Sequence, residues 1–213
     1  MQTLQQINHN INKIFASHLL PTRFVRVVAV SKKQNTDTIK QAIASGYTTF
    51  AENYLQEAKQ KWPAILQQHQ HIELQFIGNL QSNKIKDVVN LFHTISTLNN
   101  KKNALLLQEQ MLKQNKKCKI FIQVNIGDEP QKQGISTLDL PDLYEFCLQI
   151  KLSIAGIMCI APITKQPAPY FALMQKIGKD IGEISMGMSQ DFVEAIVLGS
   201  NEIRLGTAIF NNR

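Results

Sequence analysis

A chain of 213 residues can bury one sizeable core, and no Pro/Gly/Ser-rich linker or change of composition divides it, so a single domain over residues 1–213 is expected. No apolar stretch reaches signal or membrane-spanning length, and the opening MQTLQQINHNINK is polar, which predicts a soluble, cytoplasmic protein with no membrane partner. The net charge of +7 comes from scattered pairs such as Lys101-Lys102 and Lys116-Lys117 without interleaved aromatics; a solvated basic surface that attracts anionic metabolites explains it better than a nucleic-acid platform.

In chain order, Leu4, Ile7, Ile11, Ile14 and Phe15 recur at helical spacing and predict an amphipathic helix across the outside of the fold. Residues 25–31, from the stretch FVRVVAVSKK, are nearly all apolar or β-branched with one charge, which reads as a parallel strand buried on both faces. Lys32 follows at its carboxyl end, where α/β folds keep their chemistry. A lysine is ordinarily a solvated surface charge. Held between apolar walls, its amine would have a lowered pKa and could attack a carbonyl to form a Schiff base.

Next, Thr36 can cap a helix that Gly46 ends, and strand 48–51 leads through Glu52-Asn53-Tyr54 into a helix stopping around Trp62-Pro63. Strand 74–77, a short helix through Val88, strand 92–95 and a Leu/Gln-rich helix over 101–114 follow. Strand 119–126, a surface turn at 127–134, a helix with Pro141 in its first turn running to about 149, and strand 152–160 come next. The chain closes with a helix at 169–179, a strand at 183–185, a helix at 189–198 and a strand at 202–205. Eight strands alternating with helices predict an α/β fold, a single (β/α)8 TIM barrel with an extra N-terminal helix. A doubly wound open sheet is the alternative, disfavoured because no GxGxxG turn follows the first strand.

In such barrels a phosphate commonly sits between the loops after the seventh and eighth strands. Here these are Ser185-Met186-Gly187-Met188-Ser189 and Gly206-Thr207-Ala208, each with a glycine, a hydroxyl and a helix start. The plainer account makes Ser189 a helix cap and Gly206 a turn residue. Arg204, flanked by Ile203 and Leu205, needs either a buried acidic partner or a ligand acceptor. Asn53 and the loop 79–83 add neutral polar groups to the same rim. Cys118, Cys147 and Cys159 lack CxxC spacing and read as reduced core thiols. The five histidines show no HxH or HExxH, so no metal is expected; only His93 falls near a strand end.

The segments VAVSK, FAENYLQE, FIGNLQSNK, IQVNIGDEPQKQG, GIMCIAP, SMGMSQDFVEAI and IRLGTAIF, in order from about residue 28, resemble the signature segments of the pyridoxal phosphate homeostasis protein family, also described as proline synthetase co-transcribed homologues. The resemblance implies a barrel like the N-terminal domain of alanine racemase, holding pyridoxal 5′-phosphate as an aldimine on Lys32. It implies Ser185, Gly187, Met188, Ser189, Gly206 and Thr207 around the phosphate, Arg204 facing the pyridine nitrogen and Asn53 at the ring edge. An arginine there makes the ring a weak electron sink. The chain departs from the family pattern at Ala51 (usually glycine), at Gln75 (usually histidine) and at Lys33-Gln34-Asn35 (usually Thr-Lys-Pro).

The function so implied is reversible cofactor binding in cofactor homeostasis, by buffering or delivery, with no catalytic residues and no efficient turnover. Expected partners are the cofactor and the apoenzymes that need it, not nucleic acid. A monomer is expected, with a racemase-like dimer as the alternative. The enzymatic alternative is an amino-acid racemase, which needs a second acid–base on the opposite cofactor face, for which Tyr54 and Tyr170 are the candidates.

Overall fold

The computed structural model describes residues 1–162 and 166–210. Its helices are α1 Leu4–Ser17, α2 Thr36–Ala44, α3 Leu55–Gln68, α4 Ile85–Leu91, α5 Lys101–Lys113, α6 Leu140–Gln149, α7 Ala168–Gly178, α8 Phe192–Val197 and α9 Thr207–Phe210. The strands are β1 Arg26–Val30, β2 Thr49–Glu52, β3 Glu73–Phe76, β4 Thr94–Leu98, β5 Lys119–Val124, β6 Ile154–Cys159, β7 Glu183–Met188 and β8 Glu202–Leu205. A 3-10 turn, Ser82–Lys84, precedes α4.

The strands pair in parallel in chain order and close when β8 pairs with β1, aligning Arg26 with Glu202 and Val28 with Arg204. Closure excludes the open doubly wound sheet. Period-two alternation in each strand separates two apolar zones. Val27, Ala29, Phe50 and Leu74 join the large core beneath the helices, whereas Val28, Val30 and Ala51, with Ile77 against them, form a small cluster inside the barrel. Ala51 therefore sits in the barrel interior. Among the described residues no helix is long and apolar enough to cross a membrane.

α1 buries Ile7, Ile11, Ile14 and Phe15, starts with a Thr3–Gln6 capping box, and packs against α8. Three boundaries differ from the sequence reading for identifiable reasons. Asn35, not Thr36, caps α2, its side chain accepting from Thr38 N–H at 2.8 Å. α3 continues through Pro63 to Gln68. An interior proline costs about 3 kcal/mol or more. Past it, α3 buries Ile65, which contributes about 1.5–3 kcal/mol, and packs half-buried Leu66 against the core, while Trp62 is anchored against Phe50 at 5.1 Å between ring centroids.

The third concerns β7, which does not stop at Ser185 but runs to Met188. Ser185 pairs with Glu202, yet Met188 pairs with Arg204, so one extra residue is inserted in β7. Gly187, at φ +97°, is the residue that permits this bulge. In sequence the glycine reads as the start of a loop; in the barrel it is a kink within a strand.

Candidate functional site

A cavity of about 350 Å³ opens at the carboxyl ends of the strands. Lys32, Asn53, Met188, Ser189, Arg204, Gly206 and Thr207 line it, brought together from the ends of β1, β2, β7 and β8. Val30, Ile77, Met158 and Ile160 supply apolar walls and Gln190 a further edge, none of which was singled out from sequence. Val30 and Ile77 are strand-end residues whose alternation with buried neighbours was the available signal. A wider opening of about 800 Å³ shares Lys32, Gly206 and Thr207 and adds Lys33, Gln34 and Tyr54.

Lys32 is exposed at the lip of this space, not enclosed between apolar walls as the strand pattern suggested. It follows β1 in a tight turn closed by Gln34 N–H donating to the Ser31 carbonyl at 3.0 Å. Lys33, in that turn, adopts φ +63°, a left-handed conformation that costs a non-glycine residue about 1–2 kcal/mol.

Ser189 joins the loops after β7 and β8. Its Oγ accepts from the backbone N–H groups of Gly206 at 3.2 Å and Ala208 at 3.1 Å. It does not cap α8, which begins at Phe192. Two amides therefore converge on one oxygen, the arrangement that an anion's oxygen exploits. A side chain at Gly206 would meet nothing nearer than Val30 at 3.8 Å, so packing does not demand glycine there; its absence leaves the backbone open to the cavity. Gly187 is the reverse case, since a Cβ there would lie 2.6 Å from Ala195 Cβ. Gly187 serves the bulge and the packing of α8 and does not line the cavity. Asp191 shapes the same turn by accepting from Met188 N–H at 2.6 Å, and burial pushes its carboxyl up from the usual range.

Ser185 also lies off the cavity, fully buried one layer below. Its hydroxyl accepts from Arg204 Nη1 at 2.6 Å and donates to Glu202 Oε1 at 2.7 Å. Arg204 Nη2 donates to the Cys159 carbonyl at 2.7 Å. Its donors thus meet a hydroxyl and a carbonyl, not the direct carboxylate partner that a plain buried ion pair needs. Burial pulls the Arg204 pKa down, and Glu202 is the first charge opposing that pull. Beneath, Glu202 Oε2 accepts from Gln75 Nε2 at 2.8 Å and from Arg26 at 3.3 Å. A polar chain thus runs through the barrel from cavity to base, and Gln75 has its place in it.

Asn53 Oδ1 is buried without a hydrogen-bond partner in the cavity wall. The loop 79–83 contributes Asn79 to a neighbouring hollow of about 330 Å³ that shares Asn53, Ile77 and Ile160 with the first. His93 is at the opposite end, where its Nδ1 accepts from Leu74 N–H at 3.0 Å. No cluster of three or more metal-ligating side chains occurs among the described residues. All three cysteines are buried and free, and burial pushes the Cys159 thiol up to about 12. Chemically the site offers one exposed primary amine, hydroxyl and amide donors for an anion, apolar walls between, and a guanidinium below. That set suits a flat ring carrying a carbonyl and an anionic tail.

A family model described as "Alanine racemase, N-terminal domain" matches residues 2–213. The pyridoxal phosphate homeostasis protein of Pasteurella multocida is 37% identical over 225 residues, covering 100% of this chain and 97% of that one. The protein of the same name from Escherichia coli K12 is 34% identical over 205 residues, covering 89% and 86%. PipY of Synechococcus elongatus, solved with PLP bound, superposes at a TM-score of 0.78 and 28% identity, covering 94% and 99% of the two chains. Alanine racemase from E. faecalis matches at a TM-score of 0.72 but 14% identity, covering 100% of this chain and 59% of that one, a likeness of fold alone. By sequence and by fold, the chain belongs to the alanine racemase N-terminal domain family and, within it, to the pyridoxal phosphate homeostasis proteins.

Proposed function

We propose that this chain binds pyridoxal 5′-phosphate through a reversible Schiff base on Lys32 and acts in cofactor homeostasis by holding the cofactor and passing it on. The observation that carries this reading is the convergence, in one cavity, of the Lys32 amine with the Ser189, Gly206 and Thr207 donors and with Arg204. The residues fit the group: Asn53 Oδ1 lacks a partner, and the space that a side chain at 206 would fill stands open.

Ser189, Thr207 and the open backbone at Gly206 would hold the phosphate, and Val30, Ile77, Met158 and Ile160 would flank the ring. Met188 and Asn53 would border its edge, and Arg204, which lines the same cavity, would serve the ring nitrogen. Ser185 would act from below by positioning Arg204, and Gly187 by shaping the bulge; neither lines the cavity. Bound cofactor supplies an electrophilic aldehyde carbon. Lys32 would supply the primary amine that condenses reversibly with that carbon, water being released. Because Lys32 is exposed, an incoming amine can reach that bond and reverse the attachment, which suits delivery to apoenzymes. An arginine cannot stabilise a protonated ring nitrogen as a carboxylate does, so efficient carbanion chemistry is not the role.

The test is absorbance with borohydride trapping. The native chain is expected to turn yellow with the cofactor and, after reduction, to carry the added mass on the peptide containing Lys32. Lys32→Ala is expected to lose both while its stability changes by less than about 0.5 kcal/mol, as for other exposed positions. A colourless native chain overturns the proposal. Lys32-dependent loss of optical purity from an amino acid would replace homeostasis with racemisation, with Tyr54 of the same opening as the second acid–base.

A further inference from the structure

Behind the Lys32 turn lies a charged cluster that the binding site itself does not use. Lys61, on α3, is only 10% exposed in its side chain, unusual for a lysine on a helix of an α/β barrel. Its ammonium has three N–H donors and four acceptors around it. Two are carboxylates, Glu52 Oε1 and Glu57 Oε1, each at 2.8 Å. The other two are backbone carbonyls, of Ser31 at 3.1 Å and Gln34 at 3.2 Å, the first and last residues of the turn that contains Lys32 and Lys33. Glu57 Oε1 also accepts from the Lys33 N–H at 2.6 Å, and fully buried Glu52 accepts from Ser31 Oγ at 2.8 Å and from Trp62 Nε1 at 3.0 Å.

Helical spacing explains why these groups meet. Glu57 and Lys61 are one turn apart on the same face of α3, and Trp62 beside them is fixed in the core. Two carboxylates offset the desolvation of the ammonium, so the cluster is held in place electrostatically and sterically. What it grips is backbone in an unfavourable state, because Lys33 sits at positive φ without being glycine. Ends and middle of the turn are tied to α3 by different members of the cluster.

We propose that Lys61 is a positioning residue for Lys32. With Glu57 and Glu52 it clamps the turn from Ser31 to Gln34, so that the Lys32 amine is presented at the cavity lip instead of sampling open solvent. The assignment rests on the proposed attachment of the cofactor at Lys32. It concerns the approach of the amine and not the grip on phosphate or ring, which come from β7, β8 and the walls. A clamp of this kind raises the rate of bond formation by limiting the amine to productive orientations.

The test compares the native chain with Lys61→Met and Lys61→Arg, using two probes and one measurement without ligand. With pyridoxal 5′-phosphate, followed by stopped-flow absorbance, Lys61→Met is expected to slow covalent attachment about tenfold. With pyridoxine 5′-phosphate, which has the ring and phosphate but an alcohol for the aldehyde, affinity is expected to change less than twofold. In the unliganded protein, hydrogen exchange at the Lys33 and Gln34 amides is expected to rise about tenfold in Lys61→Met. Lys61→Arg, which keeps charge and donors, should lie between the native chain and Lys61→Met in both rate and exchange. Equal losses for the two probes would make Lys61 a general structural residue, and an unchanged attachment rate, or a Lys61→Arg no better than Lys61→Met, would also overturn the assignment. A native chain that attaches no cofactor sinks the underlying function instead, while the exchange measurement still decides whether the clamp exists.

Discussion

The two ends of the barrel axis both carry a buried or half-buried arginine, yet they treat it in opposite ways. At the base, Arg26 donates to Glu183 at 2.6 Å and to fully buried Glu202 at 3.3 Å, so its charge is matched by carboxylates. At the mouth, Arg204 is buried against a hydroxyl and a backbone carbonyl, both formally neutral, and it lines the cavity. Charge neutralised within the protein stabilises the fold; charge left with neutral partners beside a cavity is available to a ligand. The difference separates residues that hold the barrel together from those that serve the site, and Ser185 with Glu202 forms the link between them.

Breaking the link gives the largest expected effect. Glu202→Ala removes the acceptor for Ser185, Gln75 and Arg26 together and leaves buried donors unpaired, a loss of about 3–5 kcal/mol in urea unfolding. The same variant is expected to shift the visible absorption of the cofactor complex, because Arg204 loses its indirect counter-charge. A stability change under about 1 kcal/mol would show that the base is not held by this carboxylate.

The glycines of the mouth sharpen the comparison at intermediate size. Gly187→Ala places a Cβ 2.6 Å from Ala195 Cβ at a φ of +97°, and should cost about 1–3 kcal/mol of stability. Gly206→Ala meets only Val30 at 3.8 Å, so it should change stability by less than about 0.5 kcal/mol. It is expected instead to weaken the binding of pyridoxine 5′-phosphate roughly tenfold, about 1.4 kcal/mol, which titration calorimetry would read. The opposite pattern, with 206 structural and 187 affecting only affinity, would reverse the roles assigned to the two loops.

The smallest effect is a pH dependence at the base. Hydrogen bonding from Arg26 holds the Glu183 pKa below the ordinary glutamate value. A depressed folded pKa contributes stability above the unfolded value, about 4.3, and that contribution disappears as pH falls through the folded pKa. The gap in unfolding free energy between the native chain and Glu183→Gln should therefore be full at neutral pH, stay below about 1 kcal/mol because the pair is partly solvated, and close in acid. A gap that persists unchanged below pH 3 would point to packing and not to charge.

Much of this was legible in the sequence. Strand and helix alternation gave the barrel because periodicity records which side chains are buried, and turn glycines at 46 and 199 ended their helices with positive φ as their type suggests. Boundaries failed where tertiary packing outweighed a local signal, as at Pro63 in α3 and at the β7 bulge. Sequence also could not show that Ser185 and Gly187, four and two residues before the cavity-lining Ser189, do not line the cavity themselves, since one inserted residue changes which side chains face inward.

Residue order and chemistry alone determined the fold class, the family and the placing of a lysine and of glycine- and hydroxyl-bearing segments at the carboxyl ends of the strands. Only the three-dimensional arrangement decided which side chains share the cavity, how Arg204 is partnered, and that Lys61, from a helix thirty positions downstream in approximate terms, grips the turn that carries Lys32. The physical reason is that periodicity is a local property, whereas hydrogen-bond partnership across a closed barrel depends on register and on bulges that no short window contains.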